Sequence, residues 1–312
     1  MTNIPHHCLR PAVPAALLAL AVAGCGGGGG GGGAAGPSAL DVVREAYYVM
    51  GLLGNAGLTL GQQFQSGGIL GQAATLGPGT VGPTPRSCPT FGVAIISGEL
   101  QAAGQFSAGD TLEAAYQDCA NPAEELDGIV DLEVLDWQST GGFGFTYAVT
   151  FTATLTDFVR AATGLPAVTT NGVLTHTLDG LAQSGSLLLA VTTDDLEFVD
   201  ADGTRTLANA QNAATFSSPG GTFVVTTTAS GDLASSVLGR GTFAYETTLP
   251  LESASDNDPA TGPTTGQLKV TLPDGGSVTM VVVDNVTVRL DIDEDGDGLP
   301  ETSEDWTWSD VI

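Results

Sequence analysis

The densest group of residues able to do chemistry is Asp293-Glu294-Asp295-Gly296-Asp297-Gly298-Leu299-Pro300-Glu301-Thr302-Ser303-Glu304. Carboxylates at alternate positions of one short turn repel each other strongly unless a cation sits among them. Oxygen-only donors of this kind suit a hard divalent cation such as calcium, and a solvated acidic turn is the alternative reading. Other chemistries are poorly served. His6 and His7 lie in the N-terminal segment read below as a signal, which leaves His176, flanked by threonines, as the one histidine of the body. Its setting reads as a surface strand position rather than as part of a Ser-His-Asp or Cys-His site. No GxSxG elbow and no His/Cys cluster for zinc occur. Gly77-Pro78-Gly79-Thr80-Val81-Gly82 matches GxGxxG literally, but Pro83 and Pro85 follow where a dinucleotide site needs a helix. Among 35 acids some carboxylate pair will always be close, and nothing marks one for glycoside hydrolysis.

The acidic segment resembles the EF-hand-type calcium loop, D-x-D-x-D-G with glutamate at the twelfth place, and the DxDGDG loops of many exported bacterial proteins. The resemblance covers only residues 293–304 and implies a ligand set. Asp293, Asp295 and Asp297 would offer carboxylate oxygen, Leu299 its backbone carbonyl, Glu301 a direct or water-mediated contact, and Glu304 a bidentate carboxylate. Two departures point to a rigid structural site rather than a sensor: Pro300 stands where an aliphatic residue is usual, and the flanks read as strands instead of helices.

At the other end, Arg10 precedes an apolar run from Ala12 to Ala23 that stops at Val22-Ala23-Gly24-Cys25. The run is too short to span a bilayer but has the length of a signal h-region. Its end resembles the lipobox of bacterial lipoproteins, which implies removal of residues 1–24 and lipid on Cys25. The eight glycines from Gly26 to Gly33 then begin a flexible tether over residues 25–37. Gly26, where aspartate commonly signals inner-membrane retention, favours the outer membrane of a diderm host. Of the remaining cysteines, Cys8 leaves with the signal, so Cys88 and Cys119 are expected to pair in an oxidising compartment.

The elements that must position these groups read as follows. Ser38 with Asp41 is an N-cap, and Leu40, Val43, Tyr47 and Met50 recur at helical spacing, which predicts one helix to about residue 65. Gly51, Gly54, Gly57 and Gly61 weaken its second half, where it is expected to break or fray. No charge occurs between Glu45 and Arg86, as for a helix packed on a sheet, or else for a segment touching a partner or lipid. Residues 66–85 read as a Gly/Pro-rich loop, so that residues 38–86 form a helix-and-loop segment. From Phe91 onward the pattern has period two with turn clusters between runs, as at Asn171-Gly172 and Asp274-Gly275-Gly276. The expected fold is mainly β: a large antiparallel sheet, open barrel or sandwich of about a dozen strands over residues 87–312, with one N-terminal helix. Trp306 and Trp308 fall on one face of a short final strand, either covering a core edge or stacking on sugar rings.

Charge narrows the function. A formal charge of −27 with eight Lys and Arg repels phosphate backbones, so no nucleic-acid partner is expected. It also repels anionic lipid, which fits a body held by a tether through lipidated Cys25. The expectation is a membrane-anchored cell-envelope lipoprotein with a non-enzymatic structural, adhesion or assembly role, partnered by envelope proteins or lipids. A carrier of lipid or small apolar ligands, and a glycan-binding or glycan-cleaving protein, are the alternatives.

Overall fold

The computed structural model describes residues 37–312 except 65–67, 74–75, 103–104, 140–146, 164, 181–185, 219–222, 240 and 255–261. The segment expected to be a signal, Cys25 and all of the glycine run therefore lie outside the described residues, as does most of the segment 253–263.

Helix α1 spans Ala39–Gln63 and α2 spans Ile69–Ala73. Strands β1 (Gly79–Ser87), β2 (Phe91–Leu100), β3 (Thr111–Ala120), β4 (Glu124–Ser139) and β5 (Tyr147–Ala162) follow. Next come β6 (Val168–Asp179), β7 (Leu187–Val199), β8 (Thr204–Ser217), β9 (Val224–Ser235) and β10 (Thr242–Ala254). The chain ends with β11 (Thr265–Thr271), β12 (Ser277–Val282), β13 (Thr287–Asp293), β14 (Thr302–Thr307) and α3 (Trp308–Val311). All fourteen strands pair antiparallel with their sequence neighbours in one open sheet, β1 to β14 in order. Short connections between alternating strands dictate this meander, because each new strand finds its predecessor's free edge at once.

Alternation sorts the faces. Glu133, Thr152, Thr175, Thr192, Gln211 and Ser230 stand directly opposite one another from β4 to β9 on the outer face. Leu132, Ala153 and Leu174 do the same one residue away, buried on the inner face. The sheet curls so that α1 touches β6, β7 and β8 as well as β11, β12 and β13. The curl has a local cause in bulges on successive strands, at Tyr116/Cys119, Asp127/Ile129, Leu155/Phe158, Val173/Thr175 and Ala208/Gln211. Asp118, Asp157 and Asn209 take left-handed φ of 48°, 47° and 49° there, a conformation Asp and Asn tolerate better than most residues. A side chain at Gly128, φ 95°, would strike the Asp157 carbonyl. Asp157, in Leu155-Thr156-Asp157-Phe158, thus marks a bend in the sheet.

Four elements depart from expectation, the first being α2 (Ile69–Ala73), a short helix within the segment read as loop. Strand β1 occupies the end of the segment read as loop, and its prolines, Pro83 and Pro85, are accommodated because β1 is an edge with a partner on one side only. Helix α1 does not break at its glycines; it runs unbroken to Gln63, because Gly57 and Gly61 lie flush against the sheet. A Cβ at Gly57 would stand 2.2 Å from Val191 Cγ2, so glycine allows a contact no other residue permits there. Finally, β14 stops at Thr307. Trp306 is half-buried on it, whereas Trp308 opens α3 and is buried, its ring 5.5 Å from that of Tyr47. The two indoles do not share one strand face.

Candidate metal centre

The acidic segment forms the connection between β13 and β14, two strands whose register fixes its ends: Ile292 faces Thr302, and Asp293 faces Ser277 of β12. Asp293 is buried and organises the turn. Its Oδ1 accepts from the Gly296 amide at 2.8 Å and its Oδ2 from the Gly298 amide at 3.1 Å. Gly296 has φ 77° and lies over the β11–β12 turn, where a Cβ would meet the Gly275 carbonyl oxygen at 2.6 Å. Asp295 accepts from the Asp297 amide at 3.1 Å, and Asp297 from the Leu299 amide at 2.8 Å. Glu301 returns over the loop to accept from the Glu294 amide at 2.7 Å.

The outcome is a convergence. Asp293, Asp295, Asp297 and Glu301 each bring one carboxylate oxygen into a group lying within 4.8 Å of one another. Two unit charges at that spacing repel by about 1 kcal/mol in water and by roughly four times as much at the effective dielectric near a protein surface. The donor set is all oxygen, which suits a hard divalent cation and not zinc or copper. Glu304 is not among the four. It lies on β14 opposite Leu290, and its Oε2 accepts from Trp306 Nε1 at 3.2 Å. Leu299 is 68% exposed and sits at the tip.

Cys88 and Cys119 form a disulfide, with Cα atoms 5.3 Å apart, tying the end of β1 to the end of β3 across the β2 hairpin. Such a bond points to an extracytoplasmic compartment.

A second acid cluster, not anticipated from sequence spacing, lies in the core. Glu45 of α1 and Asp200, in the β7–β8 turn, share Arg205 of β8, with contacts of 2.6 and 2.7 Å. Ser235 donates to Glu45 at 2.5 Å and Tyr48 to Asp200 at 2.8 Å, while the Arg205 guanidinium stacks 4.7 Å from the Tyr48 ring centroid. Burial works against the Asp200 carboxylate, but bonds from Arg205 and Tyr48 outweigh it and hold its pKa below the ordinary value. Glu45 and Arg205 are 160 residues apart, and no spacing rule joins them. Their only local trace is a lone acid on the apolar stripe of a helix.

His176 is likewise not the surface residue its threonine neighbours suggested. It is fully buried between Phe151 and α1, since the inward side of β6 at this point faces the glycines of the helix.

No known protein family, curated protein or solved structure matches this chain at a significant level.

Proposed function

We propose that the protein is an exported, calcium-stabilised lipoprotein, anchored through Cys25, whose β domain serves a non-enzymatic structural, adhesion or assembly role at the cell envelope. The observation that carries the calcium reading is the convergence of Asp293, Asp295, Asp297 and Glu301 within 4.8 Å. Calcium takes about six to eight oxygens, so these carboxylates leave room for backbone carbonyl or water ligands at the loop tip. Glu304 joins the shell only by leaving Trp306, which makes Glu301→Gln and Glu304→Gln the informative pair: loss of calcium affinity in the first alone defines a four-carboxylate site.

Two features favour a structural role over the alternatives. Helix α1 fills the concave side of the sheet, with Val49, Leu53 and Leu60 fully buried, where a carrier would hold its ligand. Trp308 is buried, which removes half of the indole pair a sugar platform would need. Anchoring rests on the sequence around Cys25 and on a disulfide that fits an exported body. The test is the intact mass of protein isolated from its native envelope. The expected mass is that of residues 25–312 carrying lipid; an unacylated Cys25 or a retained segment 1–24 overturns the anchor.

A further inference from the structure

The second half of α1 carries no charged residue, from Ala46 to Gln63, and rests on one buried imidazole. A Cβ at Gly57 would lie 2.9 Å from His176 Cδ2, and one at Gly61 would lie 3.1 Å from Cε1, so the helix backbone itself covers the ring. The other face of the ring stacks on Phe151, centroids 4.8 Å apart and planes 22° apart. Neither Nδ1 nor Nε2 makes a well-formed hydrogen bond, and the Gly57 backbone is the polar group that bears on the ring.

The surroundings offer no counter-charge. Gly57 and Gly61 come from α1, Phe151 from β5, Leu178 from β6 and Val191 from β7. Polar groups on other strands that reach α1 are neutral or engaged. Tyr147 donates to the Gly61 carbonyl, Asn212 of β8 to the Met50 carbonyl, and Glu124 is held by Arg160 and Thr59. An imidazolium here is a buried unpaired charge, which a protein relieves by neutralising the group or letting water reach it. Burial drives the His176 pKa down to about 3, and the backbone at Gly57 offsets only part of that.

We propose that His176 is an acid-sensitive latch whose protonation lifts the glycine half of α1 off β6 and β7. The first half stays seated through Glu45 and Arg205. Opening exposes the apolar faces of Leu53, Leu60 and Phe151 to solvent.

The sign follows from which form the closed state accepts. Only neutral imidazole fits, so closure is undiminished above the free histidine pKa of about 6.5 and is progressively lost as pH falls below it. The opening equilibrium should rise about tenfold at pH 5.5 and about a hundredfold at pH 4.5, relative to pH 8. Amide hydrogen exchange on the intact chain, corrected for intrinsic rates, reads this as loss of protection over residues 53–63. The His176→Leu variant should show protection there that does not change across the same range. NMR titration of the wild-type imidazoles is the second measurement, for use even if that variant does not fold. His176, the one histidine of residues 25–312, should stay neutral to pH 4.5 in the closed state. A His176 midpoint near 6.5 with the helix still protected overturns the proposal. So does pH-independent protection of residues 53–63 in the wild type, or an unchanged pH response in His176→Leu.

Discussion

Glu45 and Asp200 surround a buried arginine, whereas Asp293, Asp295, Asp297 and Glu301 converge where, among the described residues, no lysine or arginine forms an ion pair with them. The chain has eight basic residues for 35 acids, and Arg44, Arg160, Arg205 and Arg289 pair with Asp41, Glu124, Glu45 and Asp305. The core cluster therefore carries its own cation, whereas the loop could take one only from outside. One arrangement can contribute to the fold in any medium; if the proposed calcium site holds, the other makes the β13–β14 edge answerable to the ions around it.

Breaking the core cluster should give the largest effect. Glu45→Ala leaves the Arg205 guanidinium buried with Asp200 as its one carboxylate partner, and removing one member of a buried pair typically costs about 3–5 kcal/mol. Denaturant unfolding should show that loss equally with and without calcium, since the cluster carries its own counter-charge. The covalent tie is the next step down. Replacing Cys88 and Cys119 together by serine opens a loop of 31 residues and should remove roughly 3–4 kcal/mol by the chain-entropy model, read in the same experiment.

The glycines of α1 sharpen the contrast between crowded and open packing. Gly57→Ala drives a methyl into Val191 and His176 and should destabilise by about 1–3 kcal/mol despite the gain in helix propensity. Gly54→Ala meets only the Asn212 amide, at 3.5 Å, an ordinary contact, so propensity should win and stabilise by about 0.5–1 kcal/mol. Opposite signs three residues apart, measured by thermal unfolding, are the expected pattern.

Much of this was legible beforehand where the signal is local. Period-two threonine runs mark strands because a pleated surface sorts alternate residues, the Ser38–Asp41 box caps α1, and the acid spacing marks the loop. What escaped depends on distant residues meeting. Arg205 finds Glu45 only after the sheet has curled around α1. The helix glycines look like weak points until Val191 and His176 close on them. Pro83 and Pro85 read as loop because an edge strand's missing partner is a property of the whole sheet. Glu304 fits the twelve-residue spacing, yet β14 begins at Thr302 and places it on the ladder opposite Leu290.

Whether the loop draws its counter-charge from solution can be read by calorimetric titration of the intact protein with calcium, beside the Asp295→Asn/Asp297→Asn variant. A single site with Kd of roughly 10⁻⁴–10⁻³ M is expected, as for extracellular modules. At 10 mM calcium it would add about 1.4–2.7 kcal/mol of stability, visible as a higher Tm, and both effects should vanish in the variant. Absence of both binding heat and a rise in Tm at millimolar calcium would overturn the calcium reading and leave the loop as an acidic turn.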